Sequence, residues 1–535
     1  MATNPDSNDN APRLARIAYK GIYALAILFI LLKVYEYRHH NFGYTILPHF
    51  SQHAHERAVD DLKRTEHYVF PGKPGYDGQY YAQLALEPQA TGAEIEGALD
   101  NHIYRARRIL FSWTAWVFGL GDPYWVLQAY SAQNALFWLL TALLLMRWLP
   151  ATHWQNTLRF LLCLFTAGIA YSFDRALLDG PSLFLIALGA ACLESGRGWL
   201  GTAVLSLSGL GKETNLLACA GLWEPDKRNQ SLIRIGLATI PLLLWLIYLF
   251  ASSSQSPLSS LGGGNFSLPL VGFFASALMI LKEGGETGFP AEIFFQFALM
   301  AALVGQCVYF LTRPKPDRVW WRIGVSFAVL TLFLGEAVWE DVEAAPRVLL
   351  PMTIAFNLLF SRKTVWLPIL LVANILSIAG IARLDPVYVP ERYDIRGASN
   401  LGYDPATNRF STLEFGEGWY ISEGNPSRFW RWSSGDATIG FRVPGERKVR
   451  AIFSFTPRSL GEREIGLEIN GESVWSYQCV NGYGEAQRME LILQPGDNNL
   501  RVSSAQPPLR IGQDPRDLSF ALYEYKLDLI EAVQD

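Results

Sequence analysis

The sequence predicts an α-helical polytopic membrane protein of about 11 transmembrane helices, followed by a C-terminal all-β domain of the sandwich or jelly-roll kind. Three observations predict it. Nearly every long apolar run lies in the first ~385 of 535 residues. The last ~150 residues are polar and alternate in short segments between turn residues. Only 18% of the chain is charged while 50% is hydrophobic, against about 25% charged in ordinary soluble domains. The mean hydropathy of +0.14 fits an average over two unlike regions.

The chain opens with a polar tail, residues 1–16, carrying Arg13 and Arg16. An apolar run from Ile17 to Val34 follows and ends in KVYEYRHH. It is long for a signal peptide and has no small-residue cleavage site, so it reads as an uncleaved first span. A spanning helix needs about 20 mostly apolar residues. Runs near that length, or shorter, lie at 17–35, 124–146, 157–173, 181–193, 199–211, 214–223, 232–251, 291–311, 320–336, 346–360 and 364–383. The apolar run 109–120 is too short to span and is placed in the interface. Residues 17–385 form the expected membrane domain, and 386–535 the β-domain.

Short cytoplasmic loops concentrate Lys and Arg. With the N-terminal side inside, the inner segments hold fifteen, among them Arg147, Arg159, Arg234, Lys315, Arg362 and Lys363. The short outer loops hold only Arg175, Lys212, Lys282 and Arg347. The bias puts the N-terminus in the cytoplasm, and the odd count puts the C-terminal domain on the opposite face. Residues 36–105 then form a long first outer loop. Within it, GYDGQYYAQLALEP sets Asp77 between glycines and before a helical run, 77–86, with Asp77 near its N-terminal cap.

Four later outer turns repeat the theme of charge. FDRALLDGP carries Asp174, Arg175 and Asp179; GLGKETN carries Lys212 and Glu213; EGGETGFPAE follows a Gly/Ser-rich loop; WEDVEAAPRVLLP carries Glu340, Asp341, Glu343 and Arg347. A charge at membrane depth usually lines a cavity or pairs. Two short runs meeting at Lys212 point to a protein-lined cavity, because irregular backbone at that depth must be buried or hydrated. A Lys212–Glu213 pair that only fixes two helix ends is the plainer reading.

This set suits transfer of a sugar from a lipid-phosphate donor. The reaction needs a carboxylate to take the acceptor's proton, cations for the departing phosphate, and an apolar groove for the lipid. An aspartate's ordinary pKa near 3.9 leaves it ionised at neutral pH, so Asp77 suits the base. Lys212 and Arg347 suit the phosphate. Gln79, Tyr80 and Tyr81 suit a sugar ring. Asp174, Asp179, Glu213 and Glu340 complete the candidate substrate-binding set. The plainer alternatives are a helix cap for Asp77, a surface anchor for Arg347, and caps or Arg175 partners for Asp174 and Asp179.

The five cysteines show no metal or disulfide spacing, and no basic block is interleaved with aromatics as a nucleic-acid groove requires. His49, His53 and His55 and the pair Asp60–Asp61 lie before Asp77, in a charged juxtamembrane tract. No DxD occurs in the outer loops, so the expectation is metal-independent chemistry with no cofactor.

The first outer acid in YDGQYYAQLAL, the following YRARRIL with its interfacial run, the KET turn and the late APRVLLP together resemble the GT-C superfamily of polytopic glycosyltransferases. The resemblance spans roughly residues 15–385 and is nearest to bacterial inner-membrane members that build cell-surface glycans. It implies a polyprenyl-phosphate sugar as donor and a glycan, lipid or protein acceptor at the extracytoplasmic face. It also implies Asp77 as catalytic base and Lys212 as a phosphate contact. The acid here stands outside any DD, DE or DxD pair, unlike the commonest pattern. Other readings are a transporter or flippase for lipid-linked glycans, and a non-enzymatic glycan-binding assembly protein.

The C-terminal segments ATIGFRV, RKVRAIFSF, EIGLEING, SVWSYQC and RMELILQ alternate like strands, with a turn signal at Asn470–Gly471. They resemble carbohydrate-binding sandwiches. Trp419, Trp430 and Trp432 are either a sugar-stacking platform or core.

Overall fold

The structure, a computed structural model, describes residues 12–39, 42–51, 54, 57–65, 67–70, 75–253, 264–287, 291–340, 343–384, 386, 403–404, 409–410, 413–420, 423–425, 428–443, 447–510, 514 and 516–533. The chain divides into two compact units. One is Met1–Arg38 with Tyr80–Val387; the other is His39–Gln79 with Tyr388–Asp535.

In the first unit the apolar runs are helices. Arg13–Glu36 is continuous over 24 residues, about 36 Å at 1.5 Å per residue. It turns Leu25, Leu28, Leu31 and Leu32 outward and buries Tyr23, Ala26 and Ile30. Tyr23 stacks on Phe160 at 3.9 Å and donates to the Leu149 carbonyl at 2.8 Å. Among the described residues, four helices are long and apolar enough to cross a membrane: Arg13–Glu36, Trp154–Asp174, Pro225–Ser252 and Ile293–Thr312. A bent pair, Thr364–Val372 with Ser377–Arg383, makes up to a fifth.

Other expected runs fold as helices that are shorter or more polar. Pro123–Leu145 has 23 residues, capped by Asp122, but carries Gln128, Ser131, Gln133 and Asn134 on its buried side. Asp179–Glu194 has 16 residues and Gly198–Gly211 has 14. At Lys212 the backbone becomes extended, with φ −161° and ψ 127°, and a 3-10 helix runs over Glu213–Leu222. Val319–Phe333 and Leu350–Leu359 are also short apolar helices. The structure therefore shows a helical part with several membrane-length apolar helices.

Besides the two-stranded antiparallel pair Tyr403–Asp404 with Arg409–Phe410, the second unit contains two larger antiparallel sheets among the described residues. Their strands are β1 (Glu414–Phe415), β2 (Glu423–Asn425), β3 (Arg428–Trp432), β4 (Ala437–Val443), β5 (Val449–Ser459), β6 (Arg463–Ile469), β7 (Glu472–Cys479), β8 (Gly482–Tyr483), β9 (Gln487–Leu493), β10 (Gly496–Ser503) and β11 (Phe520–Ala532). One sheet runs β7-β6-β10-β4-β1; the other runs β8-β5-β11-β3-β2, with β9 also pairing β5. Strict alternation along β4, β5 and β6 sends every second side chain inward. Ile439, Phe441 and Leu467 of the first sheet meet Phe453, Leu491 and Leu527 of the second in one core. Asn470 and Gly471 both have positive φ, 49° and 89°, as a tight β6–β7 hairpin turn needs. Trp432 is buried, while Trp419 and Trp430 are partly buried against core clusters. Trp430 stacks on Tyr523 at 5.0 Å.

The same unit takes in His39–Gln79. There Phe50–Ser51 pairs in parallel with Val69–Phe70. His67 lies buried beside Phe50.

Candidate functional site

The turn FDRALLDGP is held from beneath by a helix that looks apolar in sequence. Asn134 Nδ2 donates to the Leu177 carbonyl at 2.8 Å, and Tyr130 Oη to the Ala176 carbonyl at 2.7 Å. Ser172 Oγ donates to Asn134 Oδ1 at 3.0 Å and accepts from the Gly180 N–H at 2.7 Å. Ala176 takes a positive φ of 47° in this turn. These bonds fix Asp174 at the end of one helix and Asp179 at the start of the next.

A second close approach places Arg347. A Cβ on Gly168 would come within 2.5 Å of the Pro346 carbonyl oxygen. Only glycine lets the helix Ala167–Asp174 approach the short helix Ala344–Val348 this closely. Arg347 then bends back, its Nε donating to the Glu343 carbonyl at 2.9 Å.

Three linked clusters result. Lys212 Nζ lies 2.6 Å from Asp179 Oδ1, and Arg347 Nη1 lies 3.5 Å from Asp179 Oδ2. Glu213 accepts from Arg108 Nε at 2.8 Å, Arg108 Nη2 at 2.6 Å and Arg107 Nη2 at 2.7 Å. Asp174 accepts from Tyr37 Oη at 2.9 Å and Arg383 Nε at 2.9 Å, and lies 3.2 Å from Arg175. Arg175 and Arg383 also reach Glu343, at 3.6 and 3.7 Å.

Burial raises the pKa of Glu213, but the two arginines outweigh it and hold the carboxyl well below the usual range. Asp179 behaves alike: burial pushes it up, and Lys212 and Arg347 bring it below the ordinary value. Both stay ionised at neutral pH. Six cations, Arg107, Arg108, Arg175, Lys212, Arg347 and Arg383, face four carboxylates, Asp174, Asp179, Glu213 and Glu343.

Tyr81 is buried; its hydroxyl accepts from Arg108 Nη1 at 3.0 Å and its carbonyl from Ser112 Oγ at 2.8 Å. Tyr80 is half-buried, with the Arg105 guanidinium 5.0 Å from its ring centroid. The Tyr104 ring faces Arg105, Arg107 and Arg108 at 5.2, 4.4 and 4.5 Å. Arg107, Arg108, Tyr104, Tyr37, Glu343 and Arg383 are absent from the candidate set read from sequence. The run YRARRIL, with three arginines close together, was the available signal.

Glu340 is exposed at the end of the short helix Glu336–Trp339. Asp77 is half-buried, one residue before the helix Gly78–Leu86. Gln79 is buried, and its Oε1 accepts from the Ser51 N–H at 3.1 Å. Its amide folds over Gly75, where a Cβ would collide with it. Gln79 therefore ties the loop strand to the head of the helix.

No family model and no curated protein matches the chain. Among solved structures, it is similar to arabinosyltransferase EmbB from Mycobacterium smegmatis over 98% of this chain and 66% of that one, with TM-score 0.30 and 10% identity. It is also similar to a family two carbohydrate esterase from Clostridium thermocellum, over 23% of this chain and 34% of that one, with TM-score 0.15 and 13% identity. The third is CBM35 from Paenibacillus barcinonensis, over 21% of this chain and 91% of that one, with TM-score 0.13 and 13% identity. The chain thus spans about a third of the esterase's length.

Proposed function

We propose that the protein is an inverting membrane glycosyltransferase of the GT-C kind, moving a hexosyl or pentosyl group from a polyprenyl-phosphate donor to a glycan, lipid or protein acceptor. The observation that carries this reading is the convergence of Lys212, Arg347, Arg107 and Arg108 on two carboxylates, Asp179 and Glu213, at turns of a unit with membrane-length apolar helices. A departing lipid phosphate needs such cations. Lys212 and Arg347 take the phosphate oxygens in this reading, while Asp179 holds both side chains in place. Glu213 does the same for Arg107 and Arg108.

Asp77 is the proposed base. Asp179 and Glu213 are held below the ordinary carboxylate range by their cations and are poor proton acceptors. The acceptor O–H proton passes to the Asp77 carboxylate as the acceptor oxygen bonds the anomeric carbon. The bond from that carbon to the lipid-phosphate oxygen breaks, and its electron pair leaves with the phosphate. Attack opposite the leaving group inverts the centre. Tyr80 and Tyr81 border the sugar. The proposed setting is a bacterial inner membrane, with the N-terminus cytoplasmic and the β-domain outside, where it can meet glycan.

The test is transfer from labelled polyprenyl-phosphate sugars in membranes, wild type against Asp77→Asn. Transfer that disappears in a variant of unchanged expression and thermal stability supports the reading. Equal transfer in both removes Asp77 from the chemistry. Flux of a lipid-linked glycan across vesicles without sugar transfer would make the protein a transporter instead.

A further inference from the structure

A second concentration of positive charge lies in the helical unit, away from the clusters above. A small open pocket lies between the start of the helix Trp154–Leu164 and the segment 361–370. Trp154, Leu158 and Leu367 line it together with Arg159, Arg362 and Lys363. No carboxylate is among its lining residues.

Arg159 is the informative member. It is only 2% exposed. Its Nη1 and Nη2 donate to the carbonyls of Asn357 at 2.5 Å and Ser361 at 2.8 Å. Its Nε is buried and has no acceptor among the described residues. Arg362 Nη1 donates to the neutral Asn156 Oδ1 at 2.5 Å. Lys315, which does not line the pocket, donates from Nζ to the nearby Leu359 carbonyl at 2.9 Å. A buried guanidinium met only by neutral acceptors is costly, and an anion nearby would offset that cost.

Beside the pocket, Val365, Trp366 and Ile369 are exposed at 76%, 42% and 47%. Apolar surface adjoining a basic pocket, with tryptophans at its edge, matches a membrane–water boundary. We propose that this pocket seats the phosphate headgroup of an anionic phospholipid, whose acyl chains cover Val365, Trp366 and Ile369. With the orientation proposed above, the leaflet is the cytoplasmic one; the site itself does not depend on the reaction catalysed.

The test is native mass spectrometry of the full-length protein in detergent, with phosphatidylglycerol or phosphatidylcholine added. Phosphatidylglycerol should be retained about tenfold better. Arg362→Gln with Lys363→Gln, both exposed, should abolish that preference. A control pair elsewhere, Lys227→Gln with Arg228→Gln, should keep it. Equal retention of the two lipids, a preference that survives the first pair, or an equal loss in the control pair each overturns the proposal. Displacement of the lipid by inorganic phosphate alone would assign the pocket to a free anion and overturn the lipid. None of these readouts involves sugar transfer, so their failure leaves the glycosyltransferase reading untouched.

Discussion

Lys212 and Asp179, thirty-three positions apart in the chain, meet at 2.6 Å where two helices end. The carboxylate is 7% exposed and shares Arg347 as a second cation. We predict that Lys212→Met lowers sugar transfer by roughly a hundredfold, the usual cost of losing one preorganised charge contact. Asp179 keeps Arg347, so the variant should still fold. Wild-type rates in a folded Lys212→Met protein would remove Lys212 from phosphate stabilisation.

Glu213 should matter more to stability than to rate. Glu213→Gln leaves Arg107 and Arg108 close together without their shared counter-charge. The expected loss is about 3 kcal/mol, the scale for breaking a buried pair. Thermal unfolding in detergent measures it, and an unchanged midpoint would contradict it. The carboxyl is depressed in the folded protein, so its contribution is fully present above the ordinary glutamate pKa and is lost only as pH falls through the lower folded value. Between pH 5 and 8, which lie above both values, stability should therefore show no step from this group.

His67 gives the opposite case within the neutral range. Burial lowers its pKa to about 4. The folded protein keeps the ring neutral, while an unfolded chain protonates near 6.5. Stability from this group is full above about 6.5 and falls as pH drops towards the folded value, by at most ~3 kcal/mol. Hydrogen exchange in residues 39–79 should rise as pH drops from 7 to 4.5, after correction for intrinsic rates, and His67→Phe should flatten the response. Equal protection at both pH values would refute the idea.

Gly168 is predicted to be intolerant of any side chain. An added methyl would press on the Pro346 carbonyl, which is backbone and cannot swing away. Gly168→Ala should cost roughly 1–3 kcal/mol. It should also lower transfer by displacing Arg347 on the adjoining helix. A variant as stable and as active as wild type would show that the two helices separate freely.

The sequence made the strands of the β-domain legible because alternation is local: ATIGFRV and RKVRAIFSF carry their own burial pattern. The break at Lys212 was legible too, since charge interrupts two apolar runs. The span count was less so. In Pro123–Leu145 the polar residues Ser131 and Asn134 face inward, so hydropathy alone misjudges what such a helix does. The ion pairs joining FDRALLDGP, KET and APRVLLP were invisible, because each links turns distant in sequence. Arg107 and Arg108 are visible in YRARRIL but do not read as site residues, because they fall between the long loop 36–105 and the interfacial run, outside the short loops that charge counting uses.

A cation that already holds a carboxylate binds another anion loosely. In the proposed reaction, a spent lipid phosphate at Lys212 would have Asp179 beside it as a competing ligand. Recapture of the lysine by Asp179 would then expel the product. Added polyprenyl phosphate should accordingly inhibit the wild type only weakly and Asp179→Asn more strongly. On the proposed reading, the buried aspartate would keep phosphate binding weak and so let the site reset after each turnover.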